Sequence, residues 1–193
     1  MGLEIEAKVK VDSHAATRAR LAELGATCTS NVLESNCIFD RPDDSLLAKG
    51  CGLRVRHCEA LTGQAPAPTV TYKGPRLASE LKLREEINVT VDDADQATAM
   101  LEALGFRRVL HFEKRRESWR LDDCAIELDT VPHLGSYVEI EGPDESSVRR
   151  AQERLGFGGQ EMIRDSYIAL LVDYCRERDL PTSCITFEQA GEA

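Results

Sequence analysis

The chain has 193 residues, 42% of them hydrophobic and 30% charged, which is the composition of a globular chain able to bury a core without staples. Lys and Arg total 24 against 34 Asp and Glu, and the net charge of −10 argues against a nucleic-acid polymer or an anionic membrane surface as partner. There is no apolar run long enough to span a bilayer, and the opening Met-Gly-Leu-Glu-Ile-Glu lacks the apolar centre of a signal peptide, so the expectation is a cytoplasmic protein.

In chain order, the first element reads as a strand. Leu3, Ile5, Ala7, Val9 and Val11 fall on one face, and Glu4, Glu6, Lys8 and Lys10 on the other. Asp12 or Ser13 then caps an amphipathic helix that ends at Leu24-Gly25. Leu53 and Val55 alternate with Arg54 and Arg56, and residues 57–68, with Thr-Gly and Ala-Pro-Ala-Pro, read as a hairpin loop. A strand through Val70-Thr-Tyr-Lys-Gly-Pro supplies Lys73. The next sets Leu81, Leu83, Ile87 and Val89 against Lys82, Arg84, Glu86 and Asn88. Asp92 or Asp93 caps a second helix, ending at Leu104-Gly105, in a pseudo-repeat of the first strand–helix unit. A strand carrying Lys114 and Arg116 follows. Ile126 and Leu128 then oppose Glu127 and Asp129, and Val138 and Ile140 oppose Glu139 and Glu141. Asp144 caps a third helix that ends at Leu155-Gly156, and a fourth spans about 165–178 with Tyr167, Leu170, Leu171 and Tyr174 at helical spacing. Residues 1–178 read as one domain and 179–193 as a polar tail behind Pro181. The seven cysteines form no Cys-x-x-Cys pair and the four histidines have no metal-ligand spacing, so neither disulfides nor zinc are expected. Trp119 and Tyr72 read as packing residues.

One charged strand face is ordinarily a solvated surface. Here the habit repeats strand after strand, and the signs are sorted into Arg-x-Arg and Lys-x-Arg on some strands, Glu-x-Glu and Glu-x-Asp on others. Carboxylates two residues apart on one face repel unless a cation lies between them, and paired cations call for a multiply charged anion. A closed or curled antiparallel sheet with an ionic interior and helices outside meets both demands. The ligand implied is a polyanion with a divalent metal, most simply a triphosphate.

The residues also carry a resemblance. Glu4-Ile-Glu-Ala-Lys8 is followed in order by Asn36-x-x-Phe39-Asp40, Leu53-Arg-Val-Arg56, Thr71-Tyr-Lys-Gly-Pro75, Lys82-Leu-Arg-Glu-Glu86, Lys114-Arg-Arg116, Glu127-Leu-Asp129 and Leu134-Gly-x-x-x-Glu139-Ile-Glu141. Over roughly residues 2–175 this set resembles the CYTH domain, the triphosphate tunnel metalloenzymes, which include class IV adenylyl cyclases, thiamine triphosphatases and inorganic triphosphatases. The resemblance implies an α+β single domain: an antiparallel barrel of about eight strands forming a charged tunnel, with helices packed outside. It implies Mg²⁺ or Mn²⁺ held by Glu4, Glu6 and Glu139, with Glu141. It also implies a triphosphate held by Lys8, Arg54, Arg56, Lys73, Arg84, Lys114 and Arg116. Lys82, Glu86, Glu127 and Asp129 are implied either as further ligands or as partners orienting the basic residues. Glu4, Glu6, Lys8 and Arg116 would stand nearest the chemistry, and a homodimer is compatible with the family.

The motif spelling looks most like the class IV adenylyl cyclase branch, with Ile38 departing from the aromatic residue frequent there. The alternatives are a triphosphatase acting on inorganic triphosphate, thiamine triphosphate or a nucleoside triphosphate, and a non-catalytic polyphosphate binder. If the tunnel concentrates like charges, replacing Lys8 or Arg56 by Ala should remove phosphate affinity without loss of stability.

Overall fold

The structure, a computed structural model, describes residues 2–77 and 82–191; the side chains of residues 2–4, 76, 77 and 82 lie outside the described set. The elements are β1 (Gly2–Val11), α1 (Ala15–Glu23), β2 (Thr27–Asp40), α2 (Ser45–Ala48), β3 (Gly52–Thr62), β4 (Thr69–Leu77), β5 (Lys82–Thr90), α3 (Ala94–Ala103), β6 (Arg107–Leu121), β7 (Cys124–Val131), β8 (Gly135–Gly142), α4 (Glu145–Leu155), α5 (Tyr167–Glu177), β9 (Cys184–Ile185) and α6 (Phe187–Ala190). Strands β1 to β8 run in the order β2-β3-β4-β5-β1-β8-β7-β6, and β6 pairs back onto β2, which closes an eight-stranded antiparallel barrel. Closure leaves the barrel strands without free lateral edges along their paired lengths.

Residues opposed on antiparallel neighbours share a face, so register identifies the lumen. Lys8 opposes Glu139, Glu139 opposes Glu127, Asp129 opposes Arg116, Glu34 opposes Lys114, Asn36 opposes Arg56, Arg54 opposes Thr71 and Lys73 opposes Glu86. The ionic faces of all eight strands thus turn inward. The alternate residues turn outward into helices. Ala7, Val9, Ile126, Leu128, Val138 and Ile140 bury against Leu21 of α1 and Val148, Ala151 and Leu155 of α4. Phe39, Leu53 and Val55 bury against Leu101 of α3.

The strand–helix units begin and end for local reasons. Asp93 accepts from the amides of Asp95 and Gln96, and Asp144 from that of Ser147, as capping requires. Gly25, Gly105 and Gly156 follow their helices with φ of +72°, +87° and +84°, the left-handed conformation glycine adopts without strain. The first helix differs from expectation: its N-cap is His14, whose ring nitrogen bonds the Tyr137 carbonyl oxygen, rather than Asp12 or Ser13.

Two further differences come from pairing that local chemistry does not reveal. The loop expected over 57–68 is shorter, because β3 continues to Thr62 by pairing with β2 as far as Asn31. Residues 179–191, expected as a polar tail, are docked: Cys184–Ile185 runs parallel to His111–Phe112 of β6, and Ile185 and Phe187 are 1% and 4% exposed. Two apolar side chains suffice to anchor a segment whose composition is otherwise polar. Replacing Phe187 by Ala should therefore lower unfolding stability by about 3 kcal/mol in urea denaturation, whereas an undocked tail would leave the midpoint unchanged.

Candidate active site: an ionic lumen closed at one end

The lumen has an apolar end and an ionic body. At the apolar end the inward-facing Ile38, Leu110, Phe112, Val131 and Tyr137 join Tyr167, Leu171 and Cys175 of α5, and Ile185, in one buried cluster. Helix α5 therefore lies across one mouth of the barrel, while α1, α3 and α4 flank its wall. Ser166 caps α5 by accepting from the amide of Ala169, and this fixes Tyr167 at its first turn, 7% exposed. The Lys8 ammonium sits 3.9 Å from the centre of the Tyr167 ring and that of Lys114 at 5.2 Å, both within cation–π range.

Next to this floor the charges are paired. Lys8 is 1% exposed; it lies 3.2 Å from Glu139 and donates to the Asp165 carbonyl oxygen at 2.9 Å. Arg116 forks onto both oxygens of Asp129 and also reaches Glu139. Lys114 lies 3.1 Å from Asp129 and 3.4 Å from Glu34, and Arg56 lies 3.1 Å from Glu34. Burial works against the charge of Arg116, but Asp129, Glu127 and Glu34 outweigh it and hold the guanidinium well above its ordinary range. Burial would likewise raise the Glu34 carboxyl; Lys114, Arg56 and Arg116 overcome it, so the group stays ionised far below the usual carboxylate range.

Arg54 stands apart. Among the described residues no carboxylate lies within ion-pair distance of it, and its one side-chain bond goes to Thr71 Oγ1 at 3.5 Å. Burial and the neighbouring Arg56 bring its pKa down to about 10 despite Glu34 and Glu86. The polar row continues across the wall: Thr71 donates to Asn88 Oδ1 at 2.6 Å, Asn88 donates to Glu86 at 2.8 Å, and Glu86 meets Lys73 at 2.7 Å. Burial opposes ionisation of Glu86, but the Lys73 charge and the bonds from Lys73 and Asn88 lower its pKa to about 2.

Of the residues picked out from the sequence, Glu6, Lys8, Arg54, Arg56, Lys73, Glu86, Lys114, Arg116, Glu127, Asp129 and Glu139 line this lumen. Arg84 lies farther out, donating to the Gly50 carbonyl oxygen at 3.1 Å. Glu141 opposes Glu6 in register but is exposed, beyond the buried stretch of β8. Glu4 and Lys82 take their places in β1 and β5, and their side chains lie outside the described residues. Trp119 donates to Glu117 and Tyr72 to the Cys51 sulfur, packing roles rather than lumen ones. The expectation that the tunnel concentrates like charges is corrected: apart from Arg54, the buried cations near the floor have acidic partners.

Glu34 and Tyr167 were missed by sequence reasoning. Glu34 shares the alternation of Val32, Asn36 and Ile38 on β2, but it has no second acid two residues away and so escapes a search for paired charges. Tyr167 carries the spacing of an ordinary core residue.

An eight-stranded antiparallel barrel with a charged, buried lumen is the architecture of a triphosphate tunnel protein, and the chain belongs to the CYTH domain family, whose pattern matches residues 2–167. A Methanocaldococcus jannaschii protein named as a candidate adenylate cyclase is 30% identical over 139 residues, spanning 72% of this chain and 76% of that one. An adenylate cyclase of Aeromonas hydrophila is 30% identical over 138 residues, 71% of this chain and 67% of that one. The fold also matches a Hippeastrum protein, named as a candidate adenylyl cyclase and described as having a dominant triphosphatase activity, at TM-score 0.58 and 18% identity over 95% of this chain and 90% of that one. No described helix is long and apolar enough to cross a membrane.

The paired charges predict how stability responds to pH. Glu34 and Glu86 are held below the ordinary glutamate value of about 4.3, so both stabilise the fold above that pH. That contribution is lost as pH falls from there toward the folded value, about 2 for Glu86. Glu34→Gln should cost about 3 kcal/mol at pH 7 by leaving buried cations undercompensated, and should flatten the acid limb of the urea midpoint against pH. An unchanged limb would mean that Glu34 does not hold the cluster together.

Proposed function

We propose that this chain is a metal-dependent adenylyl cyclase of the class IV type, converting ATP to cyclic AMP and pyrophosphate. The observation that carries the reading is the convergence of Lys8, Arg54, Arg56, Lys114 and Arg116 on one lumen, in a chain with two relatives named as adenylate cyclases. Arginine forks and lysine points suit the non-bridging oxygens of a triphosphate, and Arg54, with no acidic partner among the described residues, is the cation most open to a phosphate.

The donors for a divalent metal fit in kind. Glu6 directly opposes Glu141, and Glu127 opposes Glu139, and directly opposed carboxylates are unfavourable without a cation between them. These are hard oxygen donors suited to Mg²⁺ or Mn²⁺. Among the described residues no three His, Cys, Asp or Glu side chains converge as a metal-holding group, and Glu139 is engaged by Lys8 and Arg116. Glu6, Glu139 and Glu141, with Glu4, would hold the ion, with Glu127 and Asp129 behind them. The metal supplies neutralisation of phosphate charge and polarisation of the reacting phosphorus. Lys8 and Arg116 stabilise the charge that develops on the departing pyrophosphate as the ribose 3′-oxygen bonds to the α-phosphorus, its proton passes to solvent water, and the α–β bridging oxygen leaves with the electron pair.

A second reading is hydrolysis of inorganic triphosphate, thiamine triphosphate or a nucleoside triphosphate. It is favoured by the lumen itself, whose described charged side chains suit phosphate and metal rather than a purine. The deciding experiment offers ATP and inorganic triphosphate with Mg²⁺, with Mn²⁺ and with chelator, and separates the products by chromatography. Cyclic AMP with pyrophosphate, lost in chelator, is expected. Phosphate without cyclic AMP would replace the cyclase by a phosphohydrolase, and binding without turnover would leave a polyphosphate-binding module.

The unequal pairing gives a sharper expectation for individual cations. Arg54→Ala should weaken triphosphate binding about tenfold or more while leaving the urea midpoint unchanged or raised, because no ion pair is broken. Lys8→Ala should weaken binding and also cost about 2 kcal/mol, because it removes one of the two cations that serve Glu139 and one of the two over the Tyr167 ring. Equal stability losses in both variants would count against the distinction.

A further inference from the structure

Asn36 has no part in the ion pairs. It is 0% exposed, and neither Oδ1 nor Nδ2 has a hydrogen-bond partner among the described residues. Register turns it into the lumen: it opposes Arg56 on β3 and Phe112 on β6. Along β2 its inward neighbours are Glu34, in the ionic body, and Ile38, in the apolar floor. The residue therefore stands at the boundary where the charged wall meets the closure made by α5.

A buried amide with both polar atoms unmade is costly, and a leucine of nearly the same shape would remove the cost. Its retention at this place needs a compensating role. The facing Arg56 bonds Glu34 rather than Asn36, and its Nε–H also lacks a partner. The two unpartnered Nδ2 protons are available to an acceptor in the lumen. A phosphoryl oxygen accepts only, and a neutral donor at the floor serves it without adding a cation beside Lys114 and Arg56.

We infer that Asn36 is a substrate-contacting residue that donates to the innermost phosphoryl oxygen of the bound triphosphate. The inference rests on the reading of the lumen as a triphosphate site, and it names which end of the substrate goes deepest. With α5 across the floor, the terminal phosphate lies at Asn36 and the remainder of the molecule points away from α5.

The test uses the full chain and inorganic triphosphate as probe, by titration calorimetry, alongside urea denaturation. Asn36→Leu should unfold at the same or higher urea concentration than the wild type and bind triphosphate about tenfold or more weakly. Wild-type affinity for triphosphate in a stable Asn36→Leu protein would overturn the assignment. If the leucine variant does not fold, Asn36→Ala is read in the same way. Arg54→Ala separates the two levels: if it loses affinity while Asn36→Leu keeps it, the lumen reading stands and the Asn36 assignment falls. If the wild type binds no triphosphate, both fall.

Discussion

Burying a charge without a partner is costly, and that cost organises this molecule. Closing eight strands into a barrel forces one face of every strand inward, and here that face is ionic. The chain meets the demand by distributing opposite signs on neighbouring strands so that they meet in register. Glu34 of β2 serves Lys114 of β6 and Arg56 of β3, Asp129 of β7 serves Arg116 and Lys114, and Glu139 of β8 serves Lys8 of β1. Each carboxylate bridges two strands or more, so the polar interior also ties the barrel's circumference together. Such networks seldom add much net stability over an apolar core, because desolvation offsets attraction. Their presence in a small domain calls for a use other than stability, and a site poised to bind a polyanion is one.

The apolar residues complete the division of labour. Outside, three strand–helix units cover the wall with α1, α3 and α4. At one end, α5 and β9 place Tyr167, Leu171 and Ile185 where the lumen turns apolar, while Phe187 of α6 packs against Arg115 on the outer face of β6. The Tyr167 ring faces two ammonium groups, and its hydroxyl lies toward Asp129 without a well-formed hydrogen bond. Burial, followed by the charges of Asp129 and Glu139, raises that hydroxyl well above its ordinary range, so it remains a neutral donor. The floor is thus built from neutral groups laid against a charged wall.

Most of the barrel was legible in the sequence because a period of two is a strong signal and the polar face was ionic each time it recurred. Asp93 and Asp144 as caps and the glycines after three helices were legible for the same reason: each answers a local stereochemical need. What stayed hidden was non-local. Nothing in residues 179–191 announces that Ile185 and Phe187 dock, since Ile185 depends on an apolar cluster made by β6 and α5 and Phe187 on the Arg115 side chain of β6. At the first helix the cap position falls on His14, whose ring nitrogen bonds the Tyr137 carbonyl oxygen, and not on Asp12 or Ser13. Glu34 was hidden because its partners lie 22, 80 and 82 positions onward, at Arg56, Lys114 and Arg116. Sorting by sign found the pairs along a strand, but only the register reveals the pairs between strands.

That difference also bears on which cations are available to a ligand. A cation already held by carboxylates must trade one anion for another, so its net contribution to binding is small unless the exchange also frees a carboxylate for a metal. Glu139, shared between Lys8 and Arg116, is the group placed for such an exchange: a triphosphate taking over the two cations would release its oxygens. Substrate and metal would then favour one another's binding, since each would discharge the partner the other leaves behind. In the proposed triphosphate site Arg54 would need no exchange and would make the first contact, and the paired cations would engage as carboxylate and phosphate change places.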